Sequence, residues 1–177
     1  SFKTGRLLLL SGSNDTTVKL FSIESGMIEA VKELPPHESC IRAVCISRHS
    51  DSSSALISVC GGKLMSSFYR IDESLNGDIS ITNLCSTKLP EKPKMDHRMN
   101  AVHAIPLLVN ENGKHEHLVL AGDSDGRLHL TIVTEGFDQP RKITSHIFSH
   151  DIEQRPILCV HMMELSIDWI LAAIGNT

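Results

Sequence analysis

Aromatic side chains, long apolar runs and an excess of positive charge are all scarce in this sequence of 177 residues. Only 4% of the residues are Phe, Trp or Tyr, and 17 Lys and Arg stand against 21 Asp and Glu, for a formal net charge of −4. No apolar run approaches the roughly 20 residues of a membrane-spanning helix. The charge balance excludes a nucleic-acid-binding domain that relies on bulk positive charge, but leaves room for a small basic patch. We expect no membrane partner.

The five cysteines form no C-x-x-C pair and no metal-ligand spacing. An odd number of scattered cysteines is typical of free thiols in a reducing compartment, which predicts a cytoplasmic protein. The sequence begins and ends in the middle of recognisable sequence motifs, so we expect a piece of a larger protein.

A strand–turn–strand phrase recurs along the chain. It runs over 7–22 (LLLLSGSNDTTVKLFS) and returns over 117–130 (HLVLAGDSDGRLHL), more weakly over 55–68, and in truncated form from 169. Short β-like segments lie between these copies, and no apolar helical period is sustained over 11 residues or more. Repeated groups of short strands with turn signals predict an all-β fold of consecutive four-stranded β-propeller blades, incomplete at both ends.

The predicted blades lie near 1–34, 37–86, 97–149 and 150–177. The Pro- and Lys-containing segment 86–98 interrupts the strand pattern, and we interpret it as a long exposed loop between blades.

The phrase LLSGSNDTTVKLFS resembles the strand–turn–strand core of a WD repeat, with Phe21-Ser22 in place of the Trp-Asp dipeptide. Pro36-His37 and Ser149-His150 are similar to the Gly-His dipeptide of that family, and His97 is a third case. The resemblance implies a WD-type β-propeller that is part of a protein with several propellers.

The order of further phrases is similar to one branch of this family, the non-catalytic partner of a tRNA wobble-position 2′-O-ribose methyltransferase. These phrases are HESCIRAV (37–44), ISVCGGK (57–63), HRM (97–99), AGDSDGRL (121–128) and PILCVH (156–161). The resemblance implies a scaffold that binds and activates the methyltransferase catalytic subunit, with tRNA held through the complex. It implies no cofactor of its own, because S-adenosylmethionine belongs to the catalytic partner.

Two other classes of function remain open. One is a WD-repeat adaptor in ubiquitin ligation, trafficking or signalling, with no RNA role. The other is an enzyme on a propeller, which needs acid, base or metal-binding residues converging from several blades, and no such set is evident. We therefore expect a non-enzyme.

Four residues are expected to hold the blades. The resemblance implies that Asp15 and Asp125 accept hydrogen bonds in tight turns from the backbone and from a histidine, and that His37 and His150 are buried beside inner strands. Asp also favours such turns through local hydrogen bonding. In the second blade Gly62 occupies the Asp position, so we expect packing alone to hold that blade.

The remaining histidines, the cysteines and the glycine-rich segment are each explained without a functional site. His97, His103, His115, His117 and His161 invite a metal hypothesis, but zinc needs about four converging ligands at short spacing, and solvated loops are favoured. The cysteines on inner strands are expected to pack as small apolar residues. Gly61-Gly62-Lys63 lacks the remainder of a phosphate-loop motif and is interpreted as a turn.

The most basic stretch supplies the one candidate contact surface, formed by Lys88, Lys92, Lys94 and Arg98. These side chains are placed to meet a partner or tRNA phosphates, and the alternative, which we favour, is a solvated linker.

Overall fold

The fold is built from β-strands. A computed structural model describes residues 6–50, 53–88, 97–107, 114–134, 155–166 and 169–176. All regular secondary structure in these ranges is strand, which confirms the all-β prediction. They contain no helix with the length and apolar character needed to cross a membrane. The strands are β1 (Leu7–Gly12), β2 (Val18–Glu24), β3 (Met27–Glu33), β4 (Ile41–Ser47), β5 (Ser54–Gly61), β6 (Met65–Glu73), β7 (Ile79–Lys88), β8 (Met99–Pro106), β9 (Glu116–Asp123), β10 (Leu128–Thr134), β11 (Ile157–Ser166) and β12 (Trp169–Asn176).

The strands form four antiparallel sheets, each made of strands that are consecutive in the chain. The first sheet has the order β1-β2-β3, the second β4-β5-β6-β7, the third β10-β9-β8 and the fourth β11-β12. Within the described ranges the second sheet has four strands, and the first and last sheets, which we expected to be incomplete, have three and two. The segment 142–148, which we predicted as a further strand of the third sheet, lies outside the described residues.

Neighbouring sheets contact one another mainly through β4, β8 and β11, the first strands of the second, third and fourth sheets. β1 packs against β4, β4 against β8, and β8 against β11, so neighbouring sheets in space are also neighbours in sequence. The second strand of the second sheet lies in the middle of this arrangement. All eight residues of β5 are buried, because one sheet covers each of its faces. This explains its mainly apolar sequence, SALISVCG, which lacks the alternation of a half-exposed strand.

Alternate residues of β5 belong to different cores. Ala55, Ile57 and Val59 pack toward the first sheet, in a cluster that includes Val18 and Leu20. On the opposite face, the buried side chain of the intervening residue 56 joins a cluster shared with the third sheet. A third cluster lies between the third and fourth sheets and contains residues of β8, β9 and β11. The two-residue period of a strand therefore connects three successive sheets.

Two glycines of the repeated phrase allow neighbouring sheets to approach closely. A Cβ added to Gly12 would overlap the side chain of Ile41, the first residue of β4. A Cβ added to Gly122 would likewise overlap Ile157, the first residue of β11. The repeated glycine thus marks the same close contact in two places, between the end of one strand and the start of the next sheet.

The outer faces of the first and last sheets expose large apolar side chains. On β1, Leu7 is 56% and Leu9 is 46% exposed, while the alternating leucines contact the core. On the fourth sheet, Leu158, Met163 and Ile174 are exposed to a similar extent. Both outer faces of the described sheets therefore carry apolar side chains that are exposed to solvent.

The predicted loop over 86–98 is shorter than we expected at both ends. Lys88 belongs to β7, where its Cα pairs with that of Met65. Arg98 forms a β-bridge with Gly62. We expected these two residues to lie in an exposed loop, but their backbone groups pair with other strands. Lys88 is therefore part of a strand and Arg98 part of a β-bridge. Lys92 and Lys94 lie outside the described residues.

Candidate functional site

The two best copies of the repeated phrase form turns of the same geometry. In the turn Ser13–Thr17, the amide of Thr16 donates to the carbonyl oxygen of Ser13 at 3.3 Å, and the amide of Ser13 donates to the carbonyl oxygen of Thr17 at 3.0 Å. In Asp123–Arg127 the corresponding distances are 3.4 and 3.0 Å. The fourth residue has a positive φ in both turns, 76° and 78°. Asp15 and Asp125 therefore occupy equivalent positions, as do Ser13 and Asp123.

Asp123 is the best-connected polar side chain of these turns and is fully buried. Its Oδ1 accepts hydrogen bonds from the amides of Asp125 at 2.9 Å and Arg127 at 2.8 Å, and its Oδ2 contacts His129 Nε2 at 2.9 Å. Burial by itself raises the pKa of Asp123, but the bonds from His129 and the two amides outweigh it and leave the pKa below its ordinary value. The carboxylate thus stabilises the turn and joins it to β10.

The two aspartates singled out from the sequence have different surroundings. Asp125 Oδ2 pairs with Nε2 of the buried His97, which lies just before β8. Among the described residues, no histidine pairs with Asp15, whose side chain is exposed. It accepts hydrogen bonds from the amide of Thr17 at 3.0 Å and from its hydroxyl at 2.7 Å, which hold the pKa of Asp15 below its usual value. The expectation of a histidine partner for Asp15 therefore stays a prediction, because no described residue occupies the place that His97 has in the third sheet, and His150 lies outside the described residues.

His37 is buried before β4 and contacts the second sheet through Tyr69. The tyrosine hydroxyl lies 3.4 Å from His37 Nε2, and the two rings meet edge-on with centroids 5.9 Å apart. The amide of His37 also donates to Thr16 in the first sheet at 3.1 Å. The absence of an Asp at Gly62 is thus offset by a tyrosine on β6, and packing alone does not hold this sheet.

Three histidines meet between the second and third sheets. The ring of His49 lies 4.4 Å from that of His115 and 4.9 Å from that of His117, measured between centroids. His117 is fully buried rather than solvated, with Nδ1 2.9 Å from Ser47 Oγ, and His49 Nε2 lies 2.9 Å from the carbonyl oxygen of Glu116. In the described part of the chain, no group of three or more His, Cys, Asp or Glu side chains is arranged to hold a metal ion.

A separate pair of histidines, His103 and His161, lies between the third and fourth sheets. His103 Nδ1 accepts the amide of Met162 at 3.1 Å, and its ring lies 4.3 Å from that of His161. Burial lowers the pKa of His103, and the neighbouring His161 lowers it further. Burial lowers the pKa of His37 as well. Both rings are therefore held in the neutral form near pH 7.

Three thiols, one buried and two half-buried, have pKa values above the ordinary value for cysteine. Burial raises the pKa of Cys60 to about 12, with a smaller contribution from Cys45, and raises the pKa of Cys85 to about 11. Burial raises the pKa of Cys45 too. A nucleophilic cysteine needs its pKa lowered, so these side chains act as small apolar groups in the core. Cys159, which we expected to be in the core, is exposed.

We expect the protein to lose stability as the pH falls below 6.5, the ordinary pKa of histidine. The folded-state pKa of His103 lies below that value, so the unfolded chain binds more protons in the interval between the two. Its contribution is complete above pH 6.5 and is lost progressively as the pH falls toward the lowered folded-state pKa. Thermal melting at about pH 7.5 and about pH 5.5 measures the loss.

His103→Asn is the matched variant, since the amide oxygen can still accept the Met162 amide but does not titrate. It should reduce the difference in melting temperature between the two pH values. An equal difference in the variant and the wild type would rule out His103 as a source of the pH dependence.

Sequence reasoning missed Asp123 and Tyr69. Two aspartates share the second turn, and alignment with Asp15 selects only Asp125. The signal for Asp123 was His129, because a hairpin turn over 123–127 brings these two side chains together. Tyr69 carried no signal of its own, since its contact with His37 spans 32 residues and depends on how β6 meets the linker before β4.

Comparisons with known proteins assign neither a family nor a fold to this chain. No protein-family profile and no curated protein matches the chain. Among solved structures, the chain is similar to one from S. cerevisiae, in a complex of dbp5 and gle1 variants with nup159, IP6 and ADP. The alignment covers 99% of this chain and 51% of that one, at 13% identity and a TM-score of 0.43. The chain therefore spans about half the length of that match.

Proposed function

We propose that the four sheets are consecutive blades of a WD-type β-propeller. The arrangement of neighbouring sheets in chain order supports this, as do the equivalent turns at 13–17 and 123–127. The pairing of His97 with Asp125 supports it further. His97 lies just before β8, the first strand of the third sheet, and Asp125 lies in the turn between β9 and β10 of the same sheet. The exposed apolar faces of the first and fourth sheets would pack on further blades.

The function that fits best is a non-catalytic scaffold that binds and activates a tRNA 2′-O-ribose methyltransferase for methylation at the wobble position. The order of phrases along the sequence carries this proposal, since it resembles WD-repeat protein six more than a generic WD repeat. The buried Asp123–His129 pair, the His97–Asp125 pair and the raised pKa values of the thiols are consistent with structural roles. S-adenosylmethionine would be bound by the catalytic partner, and the assembly would act in the cytoplasm.

Such a scaffold contributes to the reaction by positioning. Holding tRNA and the catalytic subunit together makes their encounter effectively intramolecular, which lowers the entropic cost of reaching the reactive geometry. The propeller then needs no reactive side chain of its own.

Mass spectrometry of tRNA from cells depleted of the full-length protein tests this function. We expect the methyl group at the wobble ribose to be lost and to return when the wild-type protein is re-expressed. Unchanged methylation would contradict the proposal and favour the other candidate, a WD-repeat adaptor in ubiquitin ligation, trafficking or signalling.

A further inference from the structure

The three histidines between the second and third sheets form one connected group, which we call the histidine cluster. His49 follows β4, and His115 and His117 lie at the start of β9. The ring of His49 is in contact with both of the others, since the centroids are 4.4 Å apart for His115 and 4.9 Å apart for His117. His49 is therefore the centre of the cluster.

Little water reaches the cluster. His117 is 0% exposed, His49 is 7% exposed, and His115 is half-buried. Two imidazolium rings in contact repel each other, and the repulsion is stronger in a buried site than in water because the effective dielectric constant is lower. A closed cluster with a proton added to every ring is therefore strongly unfavourable.

The hydrogen bonds of the cluster fit neutral rings. A carbonyl oxygen only accepts, so His49 Nε2 donates to the carbonyl oxygen of Glu116 at 2.9 Å, and a further proton on this ring would bind at Nδ1. His115 Nδ1 is buried, and no described residue forms a hydrogen bond with it. A proton on that nitrogen would be a buried donor without an acceptor, which is unfavourable compared with a donor in water.

The charged side chains beside the cluster add to this effect. In the described ranges they are Arg48 in the linker after β4, Lys114 and Glu116 on either side of His115, and Arg70 with Asp72 on β6. Arg70 faces the third sheet because it lies in one row with Leu56 and Ser47, and its Nε donates to Asp72 at 2.9 Å. Three cations and two carboxylates therefore flank the cluster, a balance that opposes further positive charge.

The cluster lies at the end of the contact between the two sheets where β9 begins. The cross-strand neighbours of His117 on β8 and β10 are Pro106 and Val133, which carry no charge. Val133 already belongs to the apolar cluster that continues the contact, together with Val119. Charge on the histidines would therefore separate this end of the contact before it affects the apolar part.

We propose that the histidine cluster is a pH-sensitive contact, which holds the start of β9 against the second sheet at neutral pH and releases it in mild acid. Rings that reach water on opening bind protons with the ordinary histidine pKa of about 6.5. The open form thus binds more protons than the closed form. The stability of the contact is complete above that pH and is lost progressively as the pH falls below it. A partner surface that spans both sheets would then be intact only at neutral pH.

Hydrogen exchange of the full-length protein, followed by mass spectrometry at about pH 7.5 and about pH 5.5, tests this proposal. The rates are corrected for the intrinsic pH dependence of amide exchange. Protection of a peptide that covers 114–119 should then fall at least about tenfold, because each ring that binds a proton only in the open form contributes a factor of about ten over this interval. A smaller fall would contradict the proposal.

His49→Gln is the matched variant, because the glutamine amide can donate to the Glu116 carbonyl but does not titrate. It removes both ring contacts and should make the fall in protection at least about threefold smaller than in the wild type. His161→Gln, an exposed residue of β11, is the control for the loss of a histidine elsewhere and should leave the fall unchanged. Each fall compares one protein at two pH values, so a general loss of stability cancels.

Equal falls in the wild type and in His49→Gln would overturn the proposal. His115→Gln replaces His49→Gln if the latter does not fold, since it removes one ring contact and leaves the hydrogen bond between His49 and Glu116 in place. It should reduce the fall in the same direction. Wild-type behaviour of His115→Gln would then overturn the proposal in the same way.

Discussion

Replacing Asp123 with alanine should lower the free energy of unfolding of the third sheet by about 3–5 kcal/mol. The carboxylate is fully buried and accepts two backbone amides and the ring of His129. Alanine would leave those donors unsatisfied in the interior, where each missing bond to a charged group costs more than a neutral one. Native-state hydrogen exchange of the amides in β9 and β10 measures the loss directly.

Two further variants identify the cause. Asp123→Ser should recover part of the stability, because Ser13 fills the same position in the first sheet and its hydroxyl accepts the Asp15 amide at 3.3 Å. Asp15→Ala should have only a small effect, since Asp15 is exposed and bonded only to Thr17 and its own turn. An Asp123→Ala protein with wild-type exchange rates would contradict the central role of the buried carboxylate.

Gly61→Ala should destabilise the second sheet by about 3 kcal/mol or more. The new methyl group would overlap the carbonyl oxygen of Cys40, which already accepts the Gly62 amide at 3.1 Å. The carbonyl oxygen belongs to the backbone and the position of a Cβ is set by the backbone, so no side-chain rotation can relieve the overlap. Exchange of amides in the β5–β6 hairpin reports the change.

Gly26→Ala is the matched control for the same chemical change. Gly26 has a φ of +80°, but nothing lies within 4 Å of an added Cβ. Its cost is therefore only that of a left-handed alanine, about 1 kcal/mol. If the two substitutions proved equally costly, the close approach between Cys40 and β5 would not be the reason for glycine at position 61.

The strands could be predicted from the sequence because each carries a local signal. The alternation Val18, Leu20 and Ser22 places β2 with one face in the core, and all three side chains are buried. The mainly apolar sequence of β5 indicates burial on both faces, as found. Local sequence decides such features, because strand period and turn chemistry act over a few residues.

The polar contacts between sheets could not be predicted in the same way. Tyr69 meets His37 across 32 residues, and His117 meets Ser47 across 70. Each contact depends on how one sheet lies on the next, which no local pattern specifies. The repeated phrase located the turns but not the residue that holds them. Asp15 and Asp125 are equivalent in the backbone, yet within the described ranges only Asp125 pairs with a histidine.

The central claim is that these sheets are consecutive blades of a propeller ring, and cryo-electron microscopy of the full-length protein tests it most directly. The account predicts a ring in which Leu7 and Leu9 on one side, and Leu158 and Met163 on the other, are each buried against a further four-stranded sheet. A map in which these side chains remain exposed to solvent, or in which the four sheets form no part of a ring, would contradict it.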